Sequence, residues 1–105
     1  MKALIAEIIG QALADANVVN VSHVPGAGAN EIYAAYLNVV KKPAAVSFHE
    51  EVAYAVAHGS GLSGKRAAVV MKTHGLAKAA NAVIASLSSG TNAGCVAILA
   101  DDRDA

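Results

Sequence analysis

The chain has 105 residues, with eight basic and eight acidic side chains and no net charge at neutral pH. That balance, without any basic run interleaved with aromatics, argues against a nucleic-acid partner, and the short, interrupted apolar runs give no membrane span. Hydrophobic residues make up 55%, enough for one small domain over 1–105, but alanine supplies much of that share and tryptophan is absent, so the stability expected of the domain alone is modest.

Leu4, Ile5, Ile8, Ile9, Ala12 and Leu13 recur at helical spacing and predict an amphipathic helix over 2–16, ended by Asn17. The β-branched run 18–24 reads as a strand, and Pro25-Gly26-Ala27-Gly28-Ala29-Asn30 as a turn. A helix follows over 30–40 with Ile32, Ala35, Tyr36 and Val39 inward, closed by Lys41 and Lys42 at the negative end of its dipole. Residues 44–48 read as a short buried strand, and 50–62 as a helix with an inner stripe of Val52, Ala53, Val56, Ala57 and Ser60. After a loop through Gly61, Gly64, Lys65 and Arg66 come a strand over 67–71, a helix opened by Gly75 and reaching about Ser88, a turn at 89–92, and a last strand over 94–100. Four short apolar strands alternating with helices predict an α/β fold: three layers, α/β/α, around a mostly parallel open sheet of flavodoxin-like type.

In such sheets ligands bind at the carboxyl edge of the strands. Glu50 and Glu51 stand there, where a strand gives way to a helix. Acids in a first turn complement the helix dipole; one packed among alanines is also partly desolvated, which favours a carboxyl able to donate a hydrogen bond. Lys72-Thr73-His74-Gly75 holds the same kind of place one strand later, with backbone N–H groups suited to an anion or a polar ring edge and Thr73 as a candidate cap. Lys72 and His74 are therefore candidates to meet a substrate carboxylate. Gly26-x-Gly28, followed by Glu50 on the next strand end, makes most of a dinucleotide fingerprint, but Glu31 stands at the third glycine position and would repel a pyrophosphate. The four histidines show no ligand spacing and no metal site is expected; Asp101 and Asp102 read as surface acids ending a strand. The single Cys95 allows no internal disulfide, which fits a reducing, cytoplasmic setting.

Glu50, with Gly59 nine positions on and small residues between, resembles the pyrimidine-binding (PYR) domain of thiamin-diphosphate-dependent enzymes. The block from Val70 to Asn81, with its Gly75-Leu76 turn, is similar to a second strand–turn–helix of those domains, and the match runs from about Val24 to Asp102. The resemblance implies that Glu50 bonds N1′ of the cofactor's aminopyrimidine as the catalytic residue, with Glu51 its solvated neighbour. It implies that Thr73, Gly75 and Leu76 approach the ring, and that Pro25 and Gly26 lie by the mouth of the site. It implies thiamin diphosphate as cofactor, with Mg²⁺ and diphosphate held by a separate diphosphate-binding domain or beta subunit, since no Gly-Asp-Gly…Asn motif occurs here. A homodimer or hetero-oligomer is the expected form. Met71-Lys72, Gly75-Leu76, Ser89-Gly90, Gly94 and Ala100-Asp101-Asp102 look most like the alpha subunit of indolepyruvate:ferredoxin oxidoreductases, which act on 2-oxoacids. The alternatives are the alpha chain of a sulfopyruvate- or phosphonopyruvate-type decarboxylase, and a non-catalytic binding module with this fold. The chain departs from the oxidoreductases in lacking cysteine clusters for iron–sulfur ligation, and with four strands it reads as a shortened version or a fragment.

Overall fold

The computed structural model describes residues 2–45 and 49–101. The elements run α1 (Lys2–Asp15), β1 (Asn20–His23), α2 (Ala29–Val40), α3 (Glu50–Leu62), β2 (Ala67–Lys72), α4 (Thr73–Lys78), α5 (Ala80–Ser89) and β3 (Cys95–Ala100). The strands form one open, all-parallel sheet in the order β1-β2-β3, with Asn20 opposite Ala67 and Ala67 opposite Cys95. Strand alternation sorts the core. Ala67, Val69 and Met71 meet Ala53 and Ala57 of α3 on one face. Ala68 and Val70 meet α1 and α2 on the other, through Ala6, Leu13, Ala29, Ile32 and Tyr36. The fold is therefore the expected three-layer α/β/α. β2 is covered on both faces; its Val69, Val70 and Met71 are fully buried, and each contributes about 1.5–3 kcal/mol.

Close approach, rather than bulk, decides which side of each helix turns inward. On α1 the buried residues are Ala6, Gly10 and Leu13, while Leu4 and Ile8 remain 59% and 60% exposed and Ile5 is also exposed. The predicted stripe is thus corrected at Leu4, Ile5, Ile8 and Ala12, while Leu13 is buried and Ile9 half-buried against the core. Gly10 lets α1 lie directly on α2, since a Cβ there would stand 2.8 Å from the Tyr36 nitrogen. The same rule turns α3: Ala53, Ala57 and Gly61 face the sheet, Ser60 is half-buried, and Val52 and Val56 are exposed. In α2, Ile32 and Tyr36 are buried as expected and Tyr33 joins them, whereas Ala35 and Val39 are half-buried. Tyr36 donates its hydroxyl to the Val18 carbonyl at 2.7 Å. Burial, then the neighbouring Tyr33, pushes its phenol above the ordinary 10.0.

Two elements differ from the sequence reading. The strand expected over 44–48 falls partly outside the described residues, at 46–48; residues 43–45 pair with no strand and are exposed, and Pro43 has no N–H to offer a ladder. The single helix expected from Gly75 begins at Thr73 and is broken in two at Ala79, where φ is −90° and ψ 5°. Of the loop after α2, the described residues 41–45 are held by side chains. Lys42 Nζ donates to the Val19 carbonyl at 2.7 Å, and the Tyr33 hydroxyl both donates to the Ala45 carbonyl (3.0 Å) and accepts from its N–H (2.9 Å).

Candidate functional site

α3 runs antiparallel to β1. Asn20 Nδ2 at the start of β1 donates to Ser60 Oγ (2.8 Å), and Ser22 Oγ further along donates to the Ala53 carbonyl (2.6 Å). Its first turn, with Glu50 and Glu51, therefore stands at the carboxyl edge of the sheet. The helix is started by His49, whose extended backbone (φ −140°, ψ 134°) turns Nδ1 back to accept the Glu51 N–H at 3.2 Å. An imidazole ring nitrogen thus takes the place of the usual Ser or Asp oxygen at an N-cap.

The Glu50 side chain is 15% exposed. Its stem lies against α4: a Cβ on Gly75 would stand 3.1 Å from Glu50 Cγ and 3.0 Å from Met71 Sδ. The two motif blocks read from the sequence therefore touch, and the glycine is what lets them. Beyond the stem the Glu50 Oε2 faces Lys78 Nζ at 3.7 Å. Glu51 Oε1 accepts from Asn81 Nδ2 at 3.2 Å, so it is tied to α5 and only half-buried rather than fully solvated.

The other predicted residues divide into two groups. Gly26 is half-buried and packs on the Lys72 side chain, where a Cβ would come within 2.8 Å of Lys72 Cγ and Cδ; its N–H donates to Asn30 Oδ1 (3.0 Å), which also bonds His23 Nε2 (2.8 Å). His23 in turn stacks on Tyr33, centroids 4.4 Å apart. Pro25 is exposed beside this cluster. Thr73 and His74 are exposed and Leu76 half-buried on α4. Thr73 is not the cap: Lys72 occupies that position, with no side-chain bond closing the helix. Gly59, the glycine of the motif, is exposed with open space where a side chain would go, so packing in this chain does not require it.

Lys78, His49 and Asn81 contact the acidic turn but were not picked out as site residues. A signal for Lys78 existed: it lies three residues after Gly75, which sets the two on one face of α4.

A cleft of about 220 Å³ opens on the opposite face of the sheet, between Ile5, Gly28, Glu31, Ile32 and Asp101; its lining contains none of the predicted site residues. Among the described residues no group of three His, Cys, Asp or Glu side chains is arranged to hold a metal ion, and no helix is long and apolar enough to cross a membrane. Burial pushes the Cys95 thiol above its ordinary 9.0. Set against known proteins, the chain matches no family model and no curated sequence.

Proposed function

We propose that the chain is the pyrimidine-binding part of a thiamin-diphosphate-dependent 2-oxoacid enzyme of the indolepyruvate:ferredoxin oxidoreductase kind, working in the cytoplasm beside a domain or subunit that holds the diphosphate and Mg²⁺. One observation carries the reading: a half-buried carboxylate at the carboxyl edge of a parallel sheet, packed under the glycine that follows the neighbouring strand. These residues suit an aminopyrimidine. Glu50 offers one charged acceptor or, protonated, one donor, and the turn after β2 offers backbone groups beside it. When bound, thiamin diphosphate supplies a carbon nucleophile and an electron sink for decarboxylation. Glu50 holds a proton or a strong hydrogen bond at N1′; Thr73, Gly75 and Leu76 border the ring; Lys72 and His74 receive the substrate carboxylate; Pro25 and Gly26 edge the entrance.

The test is C2 proton exchange of bound cofactor in the complex with the diphosphate-binding partner. Glu50→Gln keeps a hydrogen bond but cannot shuttle a proton to the ring, and exchange falls by about 10²–10⁴, the range for an acid–base group. Glu51→Gln stays near wild type, because its bond to Asn81 survives as an amide contact. Undiminished exchange in Glu50→Gln refutes the reading, and the reverse order of the two variants moves the role to Glu51. Assembly is part of this proposal, supported by the surface: among the described residues β1 and β3 are the outer strands, and Leu4, Ile8, Val52, Val56, Ile84 and Leu87 are exposed. Sedimentation is expected to show a dimer or a larger species with the partner; a clean monomer under both conditions overturns this.

A further inference from the structure

We infer that Lys78 is the resting counter-ion of Glu50, and that a ring nitrogen reaches the carboxylate only by taking the place of this ammonium. The inference rests on the reading of Glu50 just given and adds how the site is held before a ligand arrives. Three observations carry it. The Glu50 stem lies against Gly75 of α4, where a Cβ would stand 3.1 Å from its Cγ. Lys78, on the same face of that helix, meets it at 3.7 Å. Glu51 is already engaged by Asn81, which leaves Glu50 as the carboxylate that Lys78 neutralises.

The two ends of the contact differ in a way that makes it exchangeable. Glu50 is 15% exposed and held, whereas Lys78 is 63% exposed on a flexible stem. An ion pair with one end in water is weak, because solvent screens it and the lysine loses rotamer freedom to make it. Such a contact orients the carboxylate, yet yields to a ligand that hydrogen-bonds the same oxygen. Lys78 is in these terms a positioning residue, acting on the ligand only through Glu50.

The experiment uses the full chain with carboxyl-labelled glutamate followed by NMR, titrated with 4-amino-2-methylpyrimidine. Lys78→Met keeps the stem and removes the charge; Lys78→Arg restores the charge. In Lys78→Met the Glu50 carboxyl resonance of the free chain is expected to move and ring affinity to rise about two- to fivefold, the scale of an exposed pair. Lys78→Arg returns both toward wild type. A merely structural lysine would change thermal stability without moving the resonance. An unmoved Glu50 resonance, or ring binding in Lys78→Met that is equal to or weaker than wild type, overturns the inference. If the resonance moves as expected but neither wild type nor the variants bind the ring, the assignment of Glu50 to the pyrimidine fails and the exchange fails with it; an unmoved resonance with ring binding intact removes Lys78 alone.

Discussion

Gly75→Ala tests the contact on which the site is built. Two effects oppose each other. Gly75 is the third residue of α4, and alanine is favoured over glycine inside a helix by about 0.8–1.0 kcal/mol. Against this, the new Cβ meets Met71 Sδ at 3.0 Å, Glu50 Cγ at 3.1 Å and Met71 Cγ at 3.4 Å. Met71 is fully buried in the β2 core and cannot swing into solvent, so relief must come from Glu50 or from α4 itself. Overpacking of this kind costs about 1–3 kcal/mol. The net expectation is a loss of about 1 kcal/mol, or about 4–8 °C in Tm for a domain of this size. Gly59→Ala is the internal control: it makes the same change inside α3, where nothing lies within 4 Å of the new Cβ. It should gain about 0.5–1 kcal/mol and raise Tm. Paired thermal melts read the difference, and the Glu50 side-chain resonances should shift in Gly75→Ala alone. If both variants gain equally and Glu50 is unmoved, Glu50 does not pack under α4 and the site as described is wrong.

Tyr33→Phe removes both bonds to Ala45 and frees the loop before His49; urea denaturation should show a loss of about 1–2 kcal/mol, and amide exchange at Ala45 should accelerate. Tyr36 has its phenol raised by burial, so folding favours its protonated form: the stabilisation is whole below 10.0 and is lost as pH climbs through the higher folded value. Stability should therefore fall more steeply as pH rises from 10.0 toward the folded value in wild type than in Tyr36→Phe, and parallel slopes would contradict the assignment. The Cys95 thiol, raised for the same reason, should alkylate more slowly in the folded chain than in urea at neutral pH.

The strand and helix order was legible because its signals are local. Short β-branched runs bounded by glycine, and helical spacing of small residues, fixed three strands and the outlines of α1, α2 and α3 within a few residues. The inner face of α1 was not legible, and that of α3 only at Ala53 and Ala57, for a reason specific to an alanine-rich chain. Counting apolar residues puts Leu4, Ile5 and Ile8 inside, but the contact belongs to whichever side allows the nearest approach, and on α1 that is Ala6, Gly10 and Leu13. The break at Ala79 carries no proline or glycine to announce it. Ala79 is fully buried, so its setting is tertiary and absent from any local pattern.

The candidate site follows the same division. The edge position of Glu50 could be read because a parallel sheet fixes its carboxyl edge and α3 enters from there, although the strand expected before it over 44–48 is not among the described elements. Its company could not. α2 lies on one face of the sheet with α1, and α3 lies on the other. The chain must therefore cross between Val40 and Glu50, and Lys42 at Val19 and Tyr33 at Ala45 mark the start of its path beside β1. The contacts around Glu50 and Glu51 are tertiary: Lys78 lies 3.7 Å from Glu50 and Asn81 3.2 Å from Glu51, across the packing of α3 on α4 and α5, and no local pattern announces them.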